Sequence, residues 1–352
     1  MSPDHDGQSG DTIPRFISAH EVAERAGVSR SAVSRTFTPG ASVSQATREK
    51  VMRAAEELGY QVNDLARGLL ANRSRLVGMV ASDPESPFRT LQISALSRQL
   101  VKRGSVPVLI PTGTPNDNLS HSQATLLRYR AEATIVLSGM PSSSFVELAQ
   151  RNGQPLIVVG RAEQGPDHIR INNVRAAQTA AEVFAARGMK KLGLVTSLVG
   201  SPNLLEREEA FVAAATRHGL SVRVERAQFT DYDGGQKAAS LLLGLSEPVE
   251  GVFCVNDLMA FGLMDYARNV INLSIPEDLS VIGFDDVPEA RWGAYRLTTF
   301  HQDADKLALE IIRVLDQRQA NPGAPPIVAT FDLPLIYRNS IRPLKATPAE
   351  GR

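Results

Sequence analysis

The chain has 352 residues, long enough for two or three domains. Hydrophobic residues make up 43% and charged residues 22%, ordinary globular proportions, and a formal net charge of zero excludes a chain that binds nucleic acid by bulk charge. Cys254 is the lone cysteine, which excludes a disulfide framework and a cysteine-based metal site.

Residues 1–14 are polar, aperiodic and acidic (Asp4, Asp6, Asp11) and are expected to form a disordered leader. They lack the apolar segment of a signal peptide, and no later stretch approaches the roughly 18 apolar residues of a membrane span. The expected location is the cytoplasm, with no membrane partner. Between Arg15 and Arg75 ten Lys/Arg stand against six Asp/Glu, so the chain carries a modestly basic N-terminal segment on a neutral remainder.

Residues 15–60 read as a three-helix headpiece. Ser18 with Glu21 fits the S-x-x-E capping box, which satisfies free amides where a helix starts. Val22, Ala23 and Ala26 give that helix an apolar face, and Gly27 can adopt the left-handed conformation that ends it. Ser29 can cap a second helix on which Val33 and Phe37 share a face at i, i+4 spacing. Two short helices across Gly27-Val28-Ser29 make a helix-turn-helix, whose second helix enters the DNA major groove. Arg30, Ser31 and Arg35 then face outward. A third helix is expected from Ser44 to Gly59, with Val51, Ala54, Ala55 and Leu58 turned inward.

Val22-Ala23, Ala26-Gly27-Val28-Ser29, Val33-Ser34-Arg35, Thr47-Arg48-Glu49-Lys50-Val51, Leu58-Gly59-Tyr60 and Asn63 resemble the headpiece of the lac repressor (LacI/GalR) family, without a gap from about Ile17 to Gly78. The resemblance implies double-stranded DNA as partner, read by Ser18, Ser29, Arg30, Ser31, Ser34 and Arg35. It also implies that residues 61–75 are a hinge that folds into a helix on DNA. Asn63, Ala66 and Leu69 match hinge positions, with Leu69 on that of a leucine wedged into the minor groove. Gly68 departs from a good helix former by about 1 kcal/mol. Packing of Leu69 between hinge and body is the plainer alternative.

From Leu76 onward short apolar runs alternate with amphipathic helices. Buried strands are expected at 76–81, 106–110, 133–137 and 156–159, and in a second series at 191–195, 251–255 and 279–284. Helices are expected between them, for example at 91–102 and 122–129. Such runs spaced by helices mean parallel sheets covered on both faces. The expected class is α/β: the helix-turn-helix headpiece plus two doubly wound subdomains resembling the family's periplasmic-binding-protein-like core. That resemblance places three chain crossings, near Asn172-Asn173, Phe300-His301-Gln302 and Thr330-Phe331. An effector-binding and dimerisation domain then spans residues 76–342, with subdomain 1 at about 76–173 and 302–329 and subdomain 2 at about 174–301 and 330–342. Final strands are expected at 327–333 and 335–337. The tail at 343–352 lacks the heptads by which some members tetramerise, so a homodimer on a palindromic operator is expected.

In open α/β sheets ligands bind beyond the carboxyl ends of the strands. There the chain carries Asp83, Ser86, Pro87, Phe88 and Arg89, similar to the family's effector-contacting loop, although Ser86 and Arg89 stand where Asn and an aromatic are commoner. Arg161 follows the fourth strand. Arg207 before Ala210-Phe211 matches the family's R-x-x-G-F arginine, with Ala for Gly. Phe229 falls where an aromatic stacks on the ligand, and Asn256, Asp285 and Trp292 complete the set. A carboxylate accepting from hydroxyls, an arginine donating a fork of bonds and an aromatic face suit a sugar or sugar derivative. A purine and a phosphorylated sugar are the alternatives, the latter because of Arg89, Arg161 and Arg207. Asn256 can instead cap a helix, Asp285 a turn, Arg161 can form a surface ion pair and Trp292 can pack in the core.

An enzyme is disfavoured. No G-x-G-x-x-G follows a strand, no G-x-x-x-x-G-K-[ST] is present, Gly234-Gly235-Gln236-Lys237 has the wrong spacing, and the six His are scattered. A periplasmic-type solute-binding protein would need a secretion signal and would not need residues 17–74. The chain therefore reads as a sequence-specific DNA-binding transcriptional regulator, a repressor, controlled by a small effector. No cofactor and no metal are expected.

Overall fold

The computed structural model describes residues 15–38, 40–62, 74–112, 126, 128–138, 143–160, 165–244 and 248–344. The expected leader, the hinge positions Asn63, Ala66 and Leu69, Arg161, most of the helix expected at 122–129 and the tail beyond Leu344 lie outside these residues. The chain divides into two compact units after Ser74.

The first unit holds three helices, α1 (Ala19–Ala26), α2 (Arg30–Thr36) and α3 (Gln45–Leu58). Each start is capped by a serine. The Ser18 hydroxyl accepts from the Glu21 amide while the Glu21 carboxylate reaches back to the Ser18 amide, the two halves of the capping box. Ser29 and Ser44 accept from the Ala32 and Thr47 amides. Gly27 at φ 66° and Gly59 at φ 68° end α1 and α3. Val22, Ala23, Val33, Val51, Ala54 and Ala55 form the core. Phe37 and Tyr60 seal its edge with rings 5.6 Å apart.

The second unit contains two six-stranded sheets. The first is built from β1 (Leu76–Ser82), β2 (Val106–Thr112), β3 (Ala133–Val136), β4 (Leu156–Val159), β5 (Asp167–Ile171) and β11 (Val328–Phe331), all parallel, in the order β11-β5-β4-β3-β1-β2. Helices α4 (Pro87–Arg103), α5 (Ser143–Arg151) and α10 (Ala304–Ala320) belong to this half. The second sheet comprises β6 (Lys191–Ser197), β7 (Ser221–Ala227), β8 (Gly251–Cys254), β9 (Ser280–Asp285), β10 (Thr298–His301) and β12 (Leu335–Ile336), in the order β12-β10-β9-β8-β6-β7, with β12 antiparallel to β10. Its helices are α6 (Asn173–Ala185), α7 (Pro202–Arg217), α8 (Tyr232–Leu243) and α9 (Asp257–Asn269). The central strands β3, β4 and β8 are buried at every residue, which is why they read as continuous apolar runs.

Three strands escape that pattern. β5, β7 and β10 carry Asp, Arg, Glu or Thr, and β7 alternates exposure because it is a sheet edge. The expected buried strand at 106–110 is likewise an edge, exposed or half-buried along its length. The expected third crossing at Thr330-Phe331 is corrected. Both residues still pair with Arg170 and Ile171 in the first sheet, so the chain crosses between Phe331 and Leu335. Among the described residues, no helix is long and apolar enough to cross a membrane.

Candidate functional site

In the headpiece, Ser29, Arg30, Ser31, Ser34 and Arg35 are all exposed, while Ala32, Val33 and Thr36 of the same helix are buried. The 3.6-residue period thus turns one face of α2 inward and gives the other two arginines and two hydroxyls. The Arg48 guanidinium donates to the Thr36 carbonyl at 3.0 Å and fastens the C-terminus of α2 to α3. Ser18 is exposed, but its hydroxyl is committed to the capping box, and the Ser29 and Ser31 hydroxyls bond each other at 2.9 Å. A long Arg pair without an ion pair among the described residues, beside short, pre-ordered serines, is suited to phosphates and base edges.

In the second unit the segments that follow β1, β6 and β9 bring Arg89, Arg207 and Asp285 into one charged cluster. A file of rings supports it from below. Phe184, Phe211, Phe253, Phe300 and Phe284 follow one another at centroid distances of 6.3, 5.1, 6.3 and 5.6 Å. The Arg207 guanidinium lies 3.3 Å above the last ring, a contact worth about 2 kcal/mol when desolvated. Arg207 is 5% exposed and is aimed by two bonds, Nε to the Asn173 carboxamide oxygen at 2.9 Å and Nη1 to the Val255 carbonyl at 2.6 Å. Burial pulls its pKa down to about 10 against the opposing field of Asp285.

Asp285 ends β9 at φ 120° and Asp286 follows at φ 57°. Two successive left-handed non-glycine residues swing the β9 terminus sharply, a strained turn of the kind found at binding sites. One Asp285 oxygen accepts from the Gln302 carboxamide at 2.5 Å. Burial raises its pKa to about 6 even though Arg207, Gln302 and Arg89 favour the charged form. Behind it Asp257, fully buried, accepts from Thr299 Oγ1 at 2.6 Å and the Val287 amide at 3.0 Å. Burial and the neighbouring Asp285 push Asp257 well above the carboxylate range. Asp286 is held by Arg338 at 2.6 Å and His301 at 2.8 Å.

From the first half, Ser86 stands at the N-terminus of α4 without a capping bond of its own. Phe88 packs against the core of the second half, across the cleft. Arg89 is half-buried, donates to Gln92 and to the Leu137 carbonyl, and is pulled down to about 10 by burial. Among the described residues its Nε is buried with no hydrogen-bond partner, as is the Gln302 carboxamide oxygen.

The structure therefore brings Phe88, Arg207 and Asp285 together where the two halves meet. Asn256 is spent otherwise: its oxygen caps α9 at the Met259 amide and its nitrogen donates to the Thr230 carbonyl. Phe229 and Trp292 are 50% and 54% exposed, so neither is core packing. Sequence reasoning missed Asn173, which orients Arg207, and Gln302, which orients Asp285. Their signal lay in the two crossings they occupy. A cavity of about 130 Å³ opens at those crossings, between Ile171, Gln302, Lys306, Phe331, Asp332 and Leu333.

Comparison with known proteins finds two family models that match parts of the chain. The model of bacterial regulatory proteins, lacI family, matches residues 18–63, and that of the periplasmic binding protein-like domain matches residues 181–341. The chain is 30% identical over 336 residues to the HTH-type transcriptional repressor CytR of Escherichia coli strain K12, covering 92% of this chain and 96% of the relative. The crystal structure of the lac repressor dimer bound to operator and the anti-inducer ONPF shares the fold, with a TM-score of 0.83 at 22% identity over 93% of this chain and 99% of the other. The complex of the transcriptional regulator CelR with cellobiose follows at a TM-score of 0.67 and 25% identity, covering 92% and 99%.

Proposed function

Because this chain belongs to the lacI family of bacterial regulatory proteins, which are DNA-binding transcriptional regulators and not enzymes, we propose that a sugar-like effector in the cleft controls its affinity for a palindromic operator. The observation that carries the reading is the pairing of two separate constellations on one chain. One is the outward Arg30, Ser31, Ser34 and Arg35 face of α2. The other is Arg207 and Asp285, each oriented by its own partner over an aromatic floor.

On DNA, Arg30 and Arg35 reach guanine edges or phosphates, Ser18, Ser29, Ser31 and Ser34 make shorter contacts, and a homodimer places two α2 helices on two half-sites. Asn63, Ala66 and Leu69 form the hinge, with Leu69 wedging the minor groove; this rests on the sequence pattern. In the cleft Asp285 accepts ligand hydroxyls, Arg207 donates to ring or exocyclic oxygens, and Phe88, Phe229 and Trp292 offer apolar faces. Ser86 precedes α4 on the loop that would border it, and a role for Arg161, which follows the fourth strand, rests on the sequence pattern alone. The cellobiose complex of CelR supports a sugar. Binding favours one arrangement of the two halves, which biases the dimer and its hinge.

The test crosses two variants with two readouts. Arg35→Ala should weaken DNA binding by about tenfold, the share of one lost charged contact, and spare ligand-induced thermal stabilisation. Arg207→Ala should do the reverse. Loss of both properties in both variants would deny the division of labour.

A further inference from the structure

We propose that the effector carries a negative charge, as a sugar acid or a phosphorylated sugar does, and that Arg89 receives the anionic group. The inference rests on the cleft being the effector site.

It starts from how this protein treats its other enclosed arginines. Arg318 holds Asp167 with two bonds at 2.7 and 2.9 Å, Arg103 holds Glu132 and Asp316, and Arg338 holds Asp286. These three guanidinium groups meet carboxylates, which offsets the cost of burying a charge, whereas Arg187 and Arg342, also half-buried, bond to carbonyls alone. Arg207 is more deeply buried than any of these, and neither it nor Arg89 has a carboxylate partner among the described residues. Their bonds among the described residues go to neutral oxygens: Gln92 and the Leu137 carbonyl for Arg89, Asn173 and the Val255 carbonyl for Arg207.

The remaining charges do not compensate. Asp285 faces both arginines without an ion pair to either, and its bonded oxygen is taken by Gln302. Asp257 is sealed behind it on Thr299 and Val287. Glu206 sits 3.7 Å from Arg170 and accepts from Asn173. Asp83 is exposed on the loop before α4. Two guanidinium groups thus face one carboxylate in a cleft with low-dielectric walls, and one anionic group on the ligand restores neutrality. Arg89 is the receiver because its Nε is buried with no acceptor among the described residues. Both Arg207 bonds already fix that side chain in place. Carboxylate and phosphate both take a guanidinium fork.

The experiment uses the full chain and matched probes: glucose against gluconate, glucuronate and glucose 6-phosphate, and galactose against galacturonate. Affinity is read by calorimetry on wild type, Arg89→Met and Arg207→Ala, with the melting temperature of each free variant as a folding control. At least one acid or phosphate is expected to bind about tenfold or more tightly than its neutral parent, the scale of one charge-assisted contact. Arg89→Met should bring that ratio close to one. The carboxylate and phosphate arms separate the two sources. A neutral sugar binding as well as its acid, an unchanged ratio in Arg89→Met, or no binding by any charged probe overturns the inference. If neutral sugars bind and Arg207→Ala abolishes that binding, the cleft remains the effector site and the charge assignment alone fails. If no probe of either kind binds, both fail together.

Discussion

Arg207 and Asp285 do opposite things with burial. The arginine keeps its charge by stacking on Phe284 and bonding to neutral oxygens, whereas the carboxyl is pushed up to about 6. That shift makes the free protein pH-sensitive. An ordinary Asp titrates near 3.8, so between about pH 4 and 6 the folded chain keeps a proton that the unfolded chain releases. Stability therefore falls as pH rises through that window, and Asp257, also raised, extends the trend upward. Asp285→Asn should flatten the slope of melting temperature between pH 4 and 6. An unaltered slope would mean that Asp285 titrates normally. Of these residues, the sequence singles out Arg207 by its resemblance to the family's R-x-x-G-F pattern and Asp285 by its place at the end of an apolar run. Asn173 and Gln302 were not legible, because their partners are 34 and 17 residues away and meet them through the crossings. Asn256, a polar residue at a strand end, caps its own helix, the alternative its sequence position also allows.

At the scale of elements, the helix starts are the most legible features. Ser18, Ser29 and Ser44 each cap the helix that follows, because a serine oxygen beside a free amide is a local event needing no tertiary partner. Ser29→Ala should cost the headpiece about 1 kcal/mol, read by chemical denaturation of the full chain. A cost near zero would show that the Ser29 cap contributes nothing to stability. Strand edges are less legible. β2 and β7 mix polar and apolar residues because one side of each faces solvent, so apolar runs find the sheet centres only. Helix pairing is legible least of all. A methyl group on Gly262 of α9 would sit 2.0 Å from the Tyr232 carbonyl of α8, and one on Gly235 of α8 would sit 2.3 Å from the Met259 carbonyl of α9. Reciprocal glycines let these two backbones touch. Gly262→Ala should destabilise the body by about 1–3 kcal/mol through overpacking, with unchanged Gly-to-Ala stability ruling out the close approach.

For the whole molecule, two sheets with their strand ends facing one cleft, linked by three crossings, give a ligand leverage over a large body. The crossings carry Asn173 and Gln302, so the residues that orient Arg207 and Asp285 are those that join the two halves. A ligand that bonds both Arg207 and Asp285 acts directly on that joint. The most direct measurement is a titration of the full-length protein on a duplex selected from random sequence by the protein itself, with and without the best ligand from the matched sugar panel. A palindromic site should emerge, and the ligand should shift its affinity by about 5- to 150-fold, the usual range of coupling between sites. Arg207→Ala should bind the same duplex and lose that shift. A ligand that stabilises the body yet leaves operator affinity unchanged would contradict the coupling on which this account of the protein depends.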